Sequence, residues 1–312
     1  MKTKLLVIFI LIAVNTIISG ISLSKITLPD GTEALAKDVK EENGKVIEAF
    51  LIQPVWIQTP AGKLEVHEKI IFHKNGKTAY CRLTQNQSID TLVGKVKTDT
   101  VVFHENGNIF ILMPSHQIIT TQVGELEIFL PLSFYENGNL MEVKLYTPHT
   151  IHTPIGKLDF NSITFYKNGN IKEGYLSGSF LINTLLGEIN AIFVSFFENG
   201  KIKRAYLTNP QIFDTSYGKL KLKAIAFYES GQFHGGILDT PQDFDTSIGK
   251  VTLHSFSIFE NGKIRSATLF KDFTYKNKTY PALSFLIFSE DERFLGQGKW
   301  DKEKDEFEII KD

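Results

Sequence analysis

The stretch Ile182-Asn183-Thr184-Leu185-Leu186-Gly187-Glu188-Ile189-Asn190-Ala191-Ile192-Phe193-Val194-Ser195-Phe196-Phe197-Glu198-Asn199-Gly200-Lys201-Ile202 decides the fold, because its punctuation returns along almost the whole chain. Asn-Gly recurs at Asn43-Gly44, Asn75-Gly76, Asn106-Gly107, Asn137-Gly138, Asn168-Gly169, Asn199-Gly200 and Asn261-Gly262, with Ser230-Gly231 in the one vacant slot. From Asn43-Gly44 onward the glycines stand 31 residues apart, once 32. A second column runs Gly31, Gly62, Gly94, Gly124, Gly156, Gly187, Gly218 and Gly249. A threonine stands three residues before each of these from Gly62 onward, at Thr59, Thr91, Thr121, Thr153, Thr184, Thr215 and Thr246. Two residues earlier come Ile57, Ile89, Ile119, Ile151, Ile182, Phe213 and Phe244. The unit reads I-x-T-x-x-G-K-L, a variable half-strand, F-x-x-N-G-x-I, and a leucine five residues later. Agreement across so many columns marks an internal repeat of about nine copies, and therefore one continuous array.

Local chemistry gives the element type. Asn-Gly between apolar residues is the strongest short-range hairpin signal, and a type I′ turn there requires positive φ at both central residues. Phe72, Phe103, Phe134, Phe165, Phe196, Phe227 and Ile258 lead into the turns, and Ile109, Leu140, Ile171, Ile202, Phe233 and Ile264 lead out. Stacked repeats would line these residues into apolar ladders, with alternating positions such as Lys172 and Lys203 facing water. Beyond residue 24 no segment sustains a helical period. Mid-repeat prolines, as in Thr208-Asn209-Pro210, Asp239-Thr240-Pro241 and Thr147-Pro148-His149, break a ladder or sit at a bend. Thr-x-x-Gly carries an apolar residue just before the glycine, as in Val93, Val123, Ile155, Leu186, Tyr217 and Ile248. It reads either as a tight turn or as a bulged bend that holds this residue against the core and reverses inward parity across the glycine. Two architectures follow: an all-β, elongated or curled antiparallel array of hairpins, or a β-helix solenoid with the Asn column as an internal ladder. The specificity of Asn-Gly for short reversals favours hairpins.

The N-terminus has the form of a secretory signal. Met1-Lys2-Thr3-Lys4 is positive, and Leu5 to Ile18 is an apolar run of about 14 residues, short of the roughly 20 a spanning helix needs. Small residues follow at Ser19-Gly20-Ile21-Ser22-Leu23-Ser24, so cleavage is expected after Ser22 or Ser24. The expected organisation is a signal peptide over 1–24 and a single β-repeat domain over 25–312, with degenerate capping repeats at Leu28 to Lys45 and around Glu290-Asp291-Glu292-Arg293. An uncleaved anchor is the alternative for the first segment. One cysteine, Cys81, excludes an internal disulfide. The 34 basic and 35 acidic residues are interspersed, without the basic stripe of a nucleic-acid binder.

Phe165-Tyr166-Lys167-Asn168-Gly169-Asn170-Ile171 and Phe196-Phe197-Glu198-Asn199-Gly200-Lys201-Ile202 resemble the variant repeat of the membrane-occupation-and-recognition-nexus (MORN) type, in its toxin–antitoxin-associated form. The resemblance covers the aromatic-x-x-Asn-Gly-Lys-apolar core. That variant is shorter per unit, so I-x-T-x-x-G-K-L is a departure from it. A lesser similarity is to the tyrosine-aspartate repeats of bacterial shell-forming proteins, which alternate Gly-Lys/Arg-Leu with aromatic strands. Both resemblances imply stacked hairpins, and neither implies a catalytic residue.

The search for reactive groups names no catalytic, cofactor-binding or metal-binding residue. His149 and His152 are three apart, a spacing that puts them on opposite faces of a strand. His73 and His104 fill a column occupied elsewhere by Tyr135, Tyr166, Phe197 and Tyr228, and read as stacked neighbours of the turn. Glu105, Glu136, Glu198, Glu229 and Glu260 form a column, whereas a glycosidase pair would be unique. Cys81 reads as a small apolar strand residue. No G-x-S-x-G, phosphate-binding glycine loop or H-E-x-x-H occurs. The expected function is that of a non-enzymatic exported repeat protein of a bacterial cell envelope, in the periplasm, at the cell surface or outside the cell. It would bind a protein, peptide or glycan on an extended repeat surface, with no nucleic-acid partner, no cofactor and no membrane-spanning mature chain. The alternative is an outer-membrane β-barrel, against which stand the mid-strand prolines and the absence of aromatic girdles.

Overall fold

The computed structural model describes residues 23–301 and 306–310, so the expected signal segment lies almost wholly outside the described residues. The described residues fall into two compact units, those up to 115 with 134–138, and 116–133 with those from 139 onward. The first unit contains β1 (Ser24–Thr27), β2 (Glu33–Glu42), β3 (Lys45–Thr59), β4 (Gly62–Phe72), β5 (Thr78–Thr91), β6 (Gly94–Phe103) and β7 (Ile109–Pro114). The second contains β8 (Gln117–Thr121), β9 (Gly124–Phe134, except its last residue), β10 (Leu140–Thr153), β11 (Gly156–Phe165), β12 (Ile171–Thr184) and β13 (Gly187–Phe196). It continues through β14 (Ile202–Thr215), β15 (Gly218–Phe227), β16 (Phe233–Thr246), β17 (Gly249–Ile258) and β18 (Ile264–Leu269). It ends with β19 (Phe273–Tyr275), β20 (Lys278–Tyr280), β21 (Phe285–Phe288), β22 (Phe294–Asp301) and β23 (Glu306–Ile309). Within each unit successive strands pair antiparallel, as in β14 with β15 and β15 with β16, apart from the β19–β20 hairpin, which stands outside the main sheet. The hairpin array is therefore the architecture, and the parallel coils of a β-helix are not formed. Among the described residues no pairing joins the first strand of either unit to its last, so neither sheet closes into a barrel.

The two punctuations are the two rows of hairpin turns, and each row carries a glycine with positive φ. At Thr91-Leu92-Val93-Gly94 the ladder pairs Thr91 with Gly94, and Gly94 has φ of 97°. The Thr91 hydroxyl donates to the Gly94 carbonyl at 2.7 Å and accepts from the Val93 N–H at 3.2 Å. The same pair of bonds recurs at Thr59, Thr184, Thr215 and Thr246, which is why threonine holds that column. Tight turn and bulge are thus one structure: the chain reverses, and the left-handed glycine tucks Val93 against the core while Leu92 stays outside.

The Asn-Gly row corrects the type I′ expectation. Only Asn43-Gly44, in the degenerate first repeat, has both residues at positive φ, at 52° and 71°. From Asn75 onward the glycine alone is left-handed. Gly107 N–H donates to the His104 carbonyl at 2.9 Å and His104 N–H to the Asn108 carbonyl at 2.8 Å, closing a three-residue loop. A three-residue hairpin loop takes a type I turn followed by one left-handed residue, which places the asparagine in ordinary right-handed space. The asparagine instead caps the loop, its Oδ1 accepting the N–H two residues on, as Asn106 does from Asn108 at 2.9 Å.

Between the turns, each outgoing strand carries more residues than its partner. The ladder jumps from Tyr206↔Ala224 to Gln211↔Leu222, and likewise from Lys144 to His149 and from Ile237 to Gln242. Pro148, Pro210 and Pro241 sit on the skipped residues, where no ladder N–H is required. These bends bring the two turn rows together. The Tyr217 hydroxyl donates to the Gly262 carbonyl at 2.9 Å across 45 residues, and a Cβ at Gly200 would lie 2.6 Å from Pro154 Cγ. Inside the fold Phe165, Phe196, Phe227 and Ile258 form the expected ladder, which Phe288 extends, with Ile163, Val194, Ile225 and Phe256 beside it, all buried. Each such side chain contributes roughly 1.5–3 kcal/mol by leaving water.

Candidate ligand-binding cleft

The residues that recur beside the turns are tied to the next repeat. His73 Nε2 lies 3.0 Å from the Phe103 carbonyl and His104 Nε2 2.9 Å from that of Phe134, while the Tyr166 hydroxyl donates to the Phe196 carbonyl at 2.7 Å. Asn75 Nδ2 donates to the Glu105 carbonyl at 2.9 Å, and Lys201 Nζ to that of Glu229 at 3.0 Å. These histidines, asparagines and glutamates are rungs between repeats. The Asn column is a ladder, but it runs along exposed turns. His149 is half-buried and His152 exposed, on either side of the buried Ile151. Cys81 is fully buried, and burial pushes its thiol up to about 12, which holds it in the unreactive protonated form. Among the described residues no group of three or more His, Cys, Asp or Glu side chains is placed to hold a metal ion.

The second unit departs from this regularity on its outer face. In β10 to β14 one cross-strand row carries Glu142, Thr164, Glu173, Ser195 and Arg204. The same row continues through β15 to β18 as Ala226, Gly235, Ser257 and Ser266. The row beside it runs Tyr206, Ala224, Ile237, Ser255 and Thr268. Loss of bulk over four adjacent strands opens a cleft of about 570 Å³, walled by Phe197, Tyr228 and Phe285. That volume falls within the range of small-molecule sites.

Lys203, Arg204 and Arg265 line the cleft against one carboxylate, Glu229. Lys203 and Arg265 belong to a column that stacks on the aromatic residue before each turn, 5.7 Å from Phe197 and 5.8 Å from Phe259. His234 takes this column in the repeat between them, its ring 4.4 Å from Tyr228. Its Nε2 is buried without a hydrogen-bond partner. Burial, with Arg265, Arg204 and Lys203 nearby, pushes the imidazole down to about 4, so it is neutral at pH 7. Leading toward the cleft on the same face is an aromatic run, Tyr175 to Phe193 at 4.9 Å and Phe193 to Tyr206 at 5.3 Å. Tyr175 is 61% exposed, far beyond what core packing asks of a tyrosine.

Sequence reasoning met Phe197, Lys203, Tyr228 and Glu229 only as members of recurring columns and read none of the cleft residues as a site. The signal was present in His234-Gly235-Gly236, where other repeats hold Lys203-Arg204-Ala205 or Lys172-Glu173-Gly174, but a search for shared columns passes over what one repeat lacks. It also missed a surface cluster of His116, Glu127, Tyr146 and Thr147. There His116 Nε2 lies 2.6 Å from Glu127, Tyr146 stacks on the histidine at 4.1 Å, and the hydroxyl of Thr147 donates to Glu127 at 2.9 Å. These hydrogen bonds hold the Glu127 carboxyl below its usual range.

Fold and cleft together define an antiparallel β-hairpin repeat protein with one irregular, cation-lined depression. No protein-family model matches the chain, and no curated protein matches it.

Proposed function

We propose that this is a non-enzymatic, exported module of a bacterial cell envelope that binds a protein, peptide or glycan on the outer face of its repeat sheet. The observation that carries this reading is the aromatic run Tyr175–Phe193–Tyr206, in which two exposed tyrosines flank a buried phenylalanine on the row that leads to Ala224 in the cleft floor. Aromatic side chains presented on a rigid sheet bind with little loss of side-chain freedom, and the repeat supplies a long surface on which variable positions set specificity. The open sheets and the inward-facing apolar ladders weigh against the outer-membrane barrel, which needs a closed strand order and apolar residues outside. Export rests on the form of residues 1–24. Cleavage after Ser22 is the option that leaves β1, which starts at Ser24, intact.

The test is co-sedimentation of the chain from Leu23 with cell-wall polymer and with envelope polysaccharide, alongside Tyr175→Ala/Tyr206→Ala. The double variant should lose binding with an unchanged melting temperature. Equal binding by both proteins, or a hydrolase activity abolished by a single point substitution, overturns the reading.

A further inference from the structure

We propose that the cleft between Arg204 and Phe285 is a binding site for a planar organic anion, a ring system carrying one carboxylate, sulfonate or phosphate. This rests on the reading that the outer face binds ligands, and it adds a second, small-molecule site to that face.

Shape sets the first constraint. The floor is formed by Ala224, Ala226, Gly235, Ser255, Ser257 and Ser266, none of which projects beyond a methyl or hydroxymethyl group, and the walls are aromatic. A slot of this kind accepts a flat body and stacks it. The floor lies on the face opposite the side chains of Ile225, Phe256 and Ala267, and at Gly235 the neighbouring Phe256 carbonyl and Ser257 backbone leave no room for a side chain, so the fold itself keeps this part of the floor bare.

Charge sets the second. Three cationic side chains line a cleft that holds one carboxylate, and Arg204 is exposed with no ion pair among the described residues. A cationic ligand would meet this field unfavourably, whereas an anion would neutralise it through charge-assisted, bidentate guanidinium bonds. Arg204 and Arg265 stand on opposite sides of the repeat that supplies Gly235, so the cleft presents a cation at each end. The His234 ring forms part of the wall between these cations, with its Nε2 turned away from solvent.

The experiment uses the chain from Leu23 and three probes of one shape: 2-naphthoate, neutral 2-naphthylmethanol and cationic 2-naphthylmethylammonium. Binding is followed by saturation-transfer NMR and calorimetry. The anion should bind at sub-millimolar concentration, and the neutral and cationic analogues at least roughly tenfold more weakly, the scale of one charge-assisted hydrogen bond. Arg204→Gln and Arg265→Gln should each weaken the anion several-fold, and Ser257→Phe, which fills the floor, should abolish its binding. Circular dichroism establishes that each variant is folded; if Ser257→Phe is not, Ala226→Leu replaces it. Equal affinity for the three probes, no binding of naphthoate at 5 mM, or unchanged affinity in both arginine variants overturns the proposal. Co-sedimentation with Tyr175→Ala/Tyr206→Ala reads the wider outer-face function separately, so the loss of either claim leaves the other measurable.

Discussion

Glu292 sits at φ of 65°, where every other turn of its kind from Asn75 onward places glycine. Ser289-Glu290-Asp291-Glu292-Arg293 repeats the same loop, with Ser289 N–H donating to the Arg293 carbonyl and Glu292 N–H to that of Ser289, both at 2.9 Å. A side chain in left-handed space costs about 1–2 kcal/mol, and the ion pair of Glu292 with Lys263 at 3.3 Å is solvent-exposed and offsets little of it. Glu292→Gly should therefore stabilise the protein by about 0.5–1 kcal/mol, read as a higher urea midpoint at unchanged slope. His234 offers a pH test. Its folded pKa, about 4, lies below the ordinary 6.5, so below pH 6.5 the unfolded chain takes up a proton that the folded one refuses. Stability is thus complete above pH 6.5, falls as the pH drops toward 4, and then levels. After discounting for partial exposure the loss is on the order of 1–2 kcal/mol. Phe110 occupies the equivalent position in another repeat, stacked on His104 at 4.6 Å, so His234→Phe fits the column. That variant should lose less stability than the parent between pH 7 and pH 5; identical losses would place the pH dependence in other groups.

At the scale of the hairpin, the left-handed glycines differ in what stands beside them. A Cβ at Gly138 would meet the flexible Leu92 at 3.5 Å, at Gly169 the end of the Gln122 side chain at 2.5 Å, and at Gly200 the Pro154 ring at 2.6 Å. All three alanine substitutions carry the backbone penalty, but only the proline ring is unable to swing away. Chemical denaturation should rank the losses Gly138→Ala smallest and Gly200→Ala largest, beginning near 1 kcal/mol. That ranking was not legible in the sequence, where the three glycines occupy one column. Element type, both turn rows and the inward ladder from Phe165 to Ile258 were legible, because turn residues and alternating apolar positions are local signals. The turn type was not, since Asn-Gly serves a two-residue loop at Asn43 and a three-residue loop at Asn106 alike. The cleft was hidden for a different reason: its floor is assembled from Ala226, Gly235, Ser257 and Ser266, each unremarkable in its own strand, and only cross-strand register makes them neighbours.

At the scale of the molecule, the end of the array matters most. β21 is covered by β22, and β22 by β23. Deleting residues 294–312 would leave Phe285-Leu286-Ile287-Phe288 as an unpaired, apolar edge. Light scattering on the truncated protein should show self-association, and a soluble monomer would remove the capping role. The seam between the two turn rows carries a further consequence. Its ties span about one and a half repeats, as from Tyr217 to Gly262, and the rungs between turns span one. No stage of assembly then has to wait for a distant part of the polypeptide. Short loops close at low entropic cost, so structure can spread from any repeat to its neighbours. A chain delivered N-terminus first through a narrow conduit would complete each layer once the following repeat and a half had emerged, and would have its early layers formed before the last residues arrived.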